Sequence, residues 1–198
     1  MRYSGVMSSI IARLAAVVVT LATAGVVAAC GSHAEHRTDS ASTTATSSAP
    51  AHNADDVAFL QTMIPHHQQA VQLAAMAPTR TSNAQLTALA AKISDQQQAE
   101  IQGFRAQLIQ WDLTPGAQPG APMGGMVDPA TLDKLQTLSG AEFDTLWLQS
   151  MIAHHRGAIT MAQTELSHGQ STDVIAVAHA IVTSQQAEVD QMNQMLGG

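Results

Sequence analysis

Residues 56–76 read DVAFLQTMIPHHQQAVQLAAM, and residues 144–164 read DTLWLQSMIAHHRGAITMAQT. The two passages match at a constant spacing of 88 positions, and the shared residues include an aspartate, an aromatic residue, Met-Ile and two adjacent histidines. The same register continues downstream, where the segment QQAE at 97–100 matches QQAE at 185–188. The sequence therefore contains a duplicated unit that has kept its methionine, histidines, glutamine and glutamate in both copies.

The apolar residues around these passages predict helices. They recur three, four and seven positions apart, and no segment alternates in the manner of a strand. Four long helices are predicted over about 53–77, 82–111, 139–169 and 171–196, with a short one over about 129–138. Long helices joined by short connections favour antiparallel hairpins. We therefore predict an all-α fold, a four-helix bundle of two duplicated hairpins related by a pseudo-two-fold axis.

Several residues predict where these helices begin and end. Asn53 is suited to cap the first helix, Pro65 should kink it, and Pro78 should stop it. The segments 82–85 (SNAQ) and 139–142 (SGAE) have the pattern of capping boxes that open the second and the fourth helix. Pro and Gly residues between these two helices predict a loop that links the halves.

The N-terminus has the features of a lipoprotein precursor. Residues 1–29 combine early arginines with a short apolar run and small residues, and Cys30, the chain's single cysteine, follows at once. This arrangement resembles a bacterial lipobox, and it predicts that Cys30 carries the lipid; an ordinary signal peptide is the alternative. Residues 30–53 are rich in Ser, Thr and Ala and predict a flexible tether. The expected location is the extracytoplasmic face of the bacterial cell membrane.

Residues 54–198 are expected to form one domain, with repeat 1 at 54–111, a linker at 112–138 and repeat 2 at 139–198. The whole chain has a formal net charge of −7. An excess of negative charge argues against binding to nucleic acid and favours cationic partners. No arrangement typical of a nucleophilic or phosphate-binding active site is present, so we do not predict an enzyme.

Polar residues interrupt the apolar face of each predicted helix at matching positions. Buried polar groups need partners, and a histidine on one helix is the natural partner of a glutamine or glutamate on the next. Such a network could be purely structural and fix the register of the bundle. One histidine per helix would be enough to fix the register, but each motif has two adjacent histidines. A methionine thioether also lies one turn before the second histidine, so we favour a metal site. The candidate ligands are Met63, His66, His67, Met151, His154, His155, Met161 and Met192, and the outer residues are Asp56, Gln97, Glu100, Asp144, Gln185 and Glu188.

The doubled Met-Ile-x-His-His motif, followed by Gln-x-x-Glu on the next helix, resembles the domain of unknown function 305 family. The resemblance covers about residues 54–198 and implies a ferritin-like helical protein, secreted or lipid-anchored, with an association to copper binding and copper tolerance in some members. The family pattern usually has a methionine six residues after the second histidine. Met161 matches it, whereas Leu73 replaces it in the first copy.

Thioether and imidazole together suit copper, particularly Cu(I), whereas imidazole with carboxylate would also suit zinc or iron. We therefore predict an envelope lipoprotein that sequesters or delivers copper, and expect the methionine-richer second half to bind Cu(I) more tightly. Two alternatives remain. Glu165-x-x-His168 has the spacing of a di-iron ligand pair, which would indicate a ferritin-like oxidase or storage protein. A structural interaction module without metal is the other.

Overall fold

The computed structural model describes residues 52–116 and 123–197, which contain five helices and no strand. The predicted signal peptide, Cys30 and most of the tether lie outside these residues. The helices are α1 (Ala54–Arg80), α2 (Ala84–Gln110), α3 (Pro129–Thr137), α4 (Gly140–His168) and α5 (Thr172–Gly197). None of the helices described is both long and apolar enough to cross a membrane.

The four long helices form two hairpins that pack together through α1 and α4. Three residues connect α1 to α2, and three connect α4 to α5, so each pair is antiparallel and closely packed. Apolar side chains at helical spacing fill the core, with Trp147, Phe143, Leu60 and Leu73 among those fully buried. The indole Nε1–H of Trp147 donates a hydrogen bond of 2.8 Å to the carbonyl of Leu73 and ties α4 to α1. The all-α bundle of two hairpins is confirmed.

Contacts between equivalent residues locate the pseudo-two-fold axis. His66 and His154, which are 88 positions apart, face each other with ring centroids 3.8 Å apart. Gln96 donates a hydrogen bond of 3.0 Å to the hydroxyl of Ser184, its counterpart in the other repeat. Equivalent groups can touch only where the axis passes between them. The axis therefore runs between His66 and His154, the first histidines of the two motifs.

The two matching aspartates, Asp56 and Asp144, bond to residues near helix starts and not to the histidines. This corrects their predicted role as outer residues of the metal site. Asp56 completes the capping box of α1 and also accepts hydrogen bonds from the backbone of Gln170 and Ser171, at 3.1 and 2.9 Å. Its counterpart Asp144 accepts from the side chain of Asn83 at 3.4 Å. Each aspartate thus lies at the start of a helix in the other hairpin, where a carboxylate is favourable.

Three predicted helix ends need correction, while Asn53 and Gly169 cap their helices as expected. Pro78 lies inside α1, which continues to Arg80, because the loss of one backbone hydrogen bond so near the end does not stop the chain from making the next. Asn83, not Ser82, accepts the capping hydrogen bonds of α2. Ser139 precedes α4 but its side chain makes no capping hydrogen bond.

The described end of the linker crosses α1 and α4 and leads into α3. The side-chain amide of Gln69 on α1 donates to the carbonyl of Val127 at 2.9 Å and accepts from its backbone N–H at 2.8 Å. Asp128 then caps α3, as the sequence predicts. Leu135 of α3 is fully buried in the same apolar cluster as Leu73 and Trp147. One half of the face formed by α1 and α4 is therefore covered by α3.

Candidate metal centre

Four histidines lie in the middle of the bundle, and none of them is exposed to solvent. His66 and His67 come from α1, His154 and His155 from α4, and each has 0% relative exposure. Because they sit on the two helices that form the central interface, the first histidines of the two motifs meet at the pseudo-two-fold axis. The duplication has therefore produced one shared cluster and not two distant pairs.

A glutamate from the neighbouring helix holds the second histidine of each motif. The Nε2–H of His67 donates to Glu100 Oε2 at 2.6 Å, and that of His155 donates to Glu188 Oε2 at 2.9 Å. These hydrogen bonds place the proton on Nε2, which leaves Nδ1 with its lone pair. Neither Nδ1 has a hydrogen-bond partner. A carboxylate behind an imidazole whose other nitrogen is available is the usual arrangement of a metal-binding histidine.

The first histidines have even fewer partners. His66 donates through Nε2–H to the carbonyl of Gly124 at 3.0 Å, and its Nδ1 is unpaired. Neither ring nitrogen of His154 makes a hydrogen bond. Leaving such groups buried without partners is costly. The cluster therefore has lone pairs that an incoming cation could satisfy.

Burial keeps the imidazoles of His66, His67 and His154 neutral, which is the form that binds metal. It lowers the pKa of His66 to about 4, with a smaller effect from the neighbouring histidines. Burial likewise holds the pKa of His154 well below its ordinary value. The pKa of His67 is also lowered by burial, although Glu100 acts in the opposite direction. Protons therefore compete weakly for these nitrogens at neutral pH.

Three of the four predicted methionine ligands are fully buried. Met63 and Met151 lie one turn before the second histidines and have no exposed surface. Phe104 packs on the ring of His67, with centroids 5.4 Å apart. Met192 is the counterpart of Phe104 in the other repeat and is also fully buried, and from the pseudo-symmetry we expect its thioether beside His155. Met161 is only partly buried and lies on the wall of a cavity.

Gln97 and Gln185 add unpaired polar atoms to the same region. Both are buried, with 2% and 1% exposure, and neither amide group makes a hydrogen bond. Each lies one turn before the glutamate that holds a histidine. Their amide oxygens and nitrogens are therefore available to a ligand or to a rotated imidazole.

The two halves differ in how the glutamates are held. Lys92 on α2 lies 3.2 Å from Glu188 on α5, and this contact helps to lower the pKa of Glu188, together with the larger effect of His155. Glu100 instead accepts from Gln96 at 3.2 Å and remains partly exposed. The second half is thus the more enclosed of the two.

The donor set fits a soft metal better than a hard one. Within residues 52–116 and 123–197, no three His, Cys, Asp or Glu side chains are placed to hold a metal ion by themselves. Buried thioether sulfur lies one turn before each of the second histidines, and sulfur with neutral imidazole favours Cu(I). The buried methionines and the unpaired nitrogens provide that combination.

The di-iron alternative is not supported by the placement of its residues. Glu165 is buried, but His168 is exposed and its Nδ1–H donates to the carbonyl of Thr164 at 3.0 Å. The two side chains therefore do not converge. Among the described carboxylates and histidines, no second pair completes such a centre.

A close approach of the linker to α4 was not predicted from the sequence. A Cβ atom on Gly157 would overlap the carbonyl of Gly124, so only glycine lets the linker lie this close to the helix. The counterpart of Gly157 in the first repeat is Gln69, which grips the linker at Val127. The single linker therefore lies across both histidine motifs. In the sequence, this contact was indicated only by the difference between Gln69 and Gly157 at equivalent positions of the two repeats.

A family model described as "Domain of unknown function (DUF305)" matches residues 56–196. This chain belongs to the DUF305 family. A search of curated protein sequences gave no significant match. The family assignment made from the doubled histidine motif is confirmed.

Solved DUF305 structures share the fold. A DUF305 protein of Streptomyces coelicolor has a TM-score of 0.69 and 30% identity, covering 72% of this chain and 92% of its own. A DUF305 fragment from Deinococcus radiodurans has a TM-score of 0.69 and 32% identity, covering 75% and 99%. The helical arrangement is therefore that of the family.

A third similar structure is CopM in its Cu(I)-bound form, with a TM-score of 0.62 and 31% identity, covering 71% of this chain and 94% of CopM. CopM has also been solved in Cu(II)-bound, silver-bound and metal-free forms. This similarity relates the DUF305 fold to metal binding.

Proposed function

We propose that this DUF305 protein is an envelope-anchored copper-binding lipoprotein that sequesters or delivers the metal. The observation that carries the proposal is the buried cluster of four histidines with unpaired ring nitrogens, flanked by buried methionines. The binding of copper by CopM, a protein of the same fold, supports the choice of metal.

Each group of residues has a defined task in this proposal. His154 and the Nδ1 atoms of His66, His67 and His155 are the candidate nitrogen donors, of which two and not all four would bind one ion. Met63, Met151 and Met192 would supply sulfur. Glu100 and Glu188 orient the second histidines and make their imidazoles more basic. The metal would be a positively charged partner for these buried lone pairs, which have no hydrogen-bond donor.

A structural role for the cluster fits the contacts less well. A network that only fixed the register of the bundle would satisfy its own hydrogen bonds. Here the amides of Gln97 and Gln185 and both nitrogens of His154 are unpaired. Leaving these buried polar atoms without partners costs free energy, and a bound metal ion would offset that cost by giving them a partner.

The proposed anchor is the lipid on Cys30, which would hold the domain at the outer face of the cell membrane through the segment that follows it. The Streptomyces coelicolor relative is named as a secreted protein, which is consistent with an extracytoplasmic location. A metal-binding domain on a tether at this surface would meet copper before it reaches the membrane.

Elemental analysis of the protein isolated from its native envelope tests the proposal. We expect copper, with zinc and iron at background levels, because the donor set is rich in sulfur and neutral imidazole. A sample purified in the same way after His66→Ala and His154→Ala substitution is the control and should lose the copper. Iron in pairs would favour an oxidase or a storage protein, and a metal-free protein would return the cluster to a structural role.

A further inference from the structure

A cavity of about 790 Å³ lies on the face of α1 and α4 that α3 leaves uncovered. Its walls come from the first two turns of α1 and from the second half of α4, and the linker glycines Gly124 and Gly125 close its inner end. Because α1 and α4 are antiparallel, Asp55 and Glu165 mark the outer end, and Gly157 marks the end next to the histidines.

The residues that open this cavity differ between the two halves of the duplicated fold. Ala58 and Thr164 line it, whereas the equivalent positions of the other half are Leu146 and Met76. There the larger side chains pack against the apolar cluster that also contains α3. The second half of α4 has therefore diverged in a way that opens this space.

An acidic residue accompanies that divergence. Glu165 stands where the first repeat has Ala77, is only 2% exposed, and shares a side-chain hydrogen bond with Asp56. Burial and the neighbouring Asp56 raise the pKa of Glu165 to about 8. Two carboxyl groups thus share one proton beside the cavity. A cation that displaced this proton would find carboxylate oxygens there.

The wall between Glu165 and the histidines carries a soft donor. Met161 lines the cavity one turn from Glu165, whereas its counterpart Leu73 is a core residue. At the inner end, Gly124 offers the carbonyl to which His66 is bonded. Glu165 is 11 residues from His154 along α4, which corresponds to about 16 Å. Carboxylate, thioether and imidazole thus follow one another from the solvent to the centre.

We propose that this cavity is the route by which copper enters the histidine cluster, with Glu165 and Met161 as transient ligands. The inference rests on the proposed copper site and adds the path to it. A path is needed because all four histidines are inaccessible to solvent. Arg156 also lines the cavity, but Asp55 lies at its mouth and the net negative charge of the chain attracts a cation.

Stopped-flow measurement of Ag(I) and Cu(I) uptake from a weak chelator tests the route. The test uses the double variant Ala58→Leu with Thr164→Met, which fills the cavity with the residues found at the equivalent positions of the other repeat. We expect uptake to slow by about tenfold or more, since access and not the ligand set has changed. Release should slow in proportion, so the equilibrium affinity stays within about threefold.

Ala88→Leu is the matched control, because Ala88 lines the groove between α2 and α5 on the opposite side of the bundle. It should leave the uptake rate unchanged. Glu165→Gln and Met161→Leu keep the cavity open and should each slow uptake, because each removes an oxygen or sulfur donor that the ion would meet on the route. A change in affinity with no change in rate would make these two residues equilibrium ligands and would overturn their role on the route.

The outcomes separate this inference from the proposed function. Unchanged rates in the filled variant, with tight binding preserved, would show that copper enters elsewhere while the copper site stands. Slower uptake in Ala88→Leu alone would place the route between α2 and α5. A wild-type protein that takes up neither ion would overturn both the route and the copper site.

Discussion

Replacing His66 and His154 together by alanine is expected to weaken Cu(I) binding by more than about 100-fold, since the loss of an outer partner alone costs about 10- to 100-fold. These residues are the pair that meets at the pseudo-two-fold axis, with ring centroids 3.8 Å apart. Removing both takes ligands from both halves of the shared cluster. Competition with a Cu(I) chelator of known affinity measures the loss.

The control for this variant is His168→Ala with His179→Ala, which removes two exposed histidines and should leave the affinity unchanged. Circular dichroism should show the same helix content in all three proteins. Equal affinities for wild type and the His66/His154 variant would mean that the metal binds outside the cluster.

The contact between the first histidines also affects the comparison of the two halves. His154→Ala with His155→Ala is still expected to cost more Cu(I) affinity than His66→Ala with His67→Ala, because Met192 is buried where the first half has Phe104. Both variants should lose binding, however, since each damages the same cluster. A protein with two independent sites would instead keep one full-affinity ion in each variant.

The second large effect is expected at Gly157. The change Gly157→Ala should lower the free energy of unfolding by about 1–3 kcal/mol, because the new methyl group overlaps the backbone of Gly124 and a backbone cannot move aside as a side chain does. The linker would be pushed from α4, and the hydrogen bond from His66 to Gly124 would be strained or lost. Chemical denaturation measures the change.

Gly103→Ala is the matched control, because Gly103 lies exposed in α2 and an added Cβ meets nothing within 4 Å. This substitution should stabilise the protein by about 0.5–1 kcal/mol, as alanine loses less backbone freedom on folding. The two glycine substitutions are therefore expected to have opposite signs. A neutral Gly157→Ala would show that the linker does not pack on α4 as described.

The sequence predicted the helices, the duplication and the family because each rests on local or periodic patterns. Apolar spacing located all five helices, and the repeated histidines placed the cluster on α1 and α4. Helix ends were less accurate at Pro78 and Ser82, where one lost hydrogen bond or one neighbouring side chain decides the boundary. Local patterns carry little information at that scale.

Contacts between distant segments were beyond the reach of these patterns. Asp56 has a counterpart in the second motif and was predicted as an outer residue of the metal site. Its carboxylate instead accepts backbone hydrogen bonds from Gln170 and Ser171, just before α5. The meeting of His66 with His154 depends on how α1 packs on α4, which periodicity does not determine. The cavity follows from differences between the repeats, of which the sequence had pointed to Met161 against Leu73 but not to Ala58 and Thr164.

X-ray absorption at the copper edge of the Cu(I)-loaded protein tests the central claim most directly. The account predicts a first shell that contains both imidazole nitrogen and thioether sulfur, because the buried lone pairs belong to histidines and methionines. Changing Met63 and Met151 to leucine should reduce the sulfur contribution while the nitrogen contribution remains. A first shell without imidazole nitrogen, or one with no sulfur in the wild-type protein, would contradict the assignment of copper to this centre.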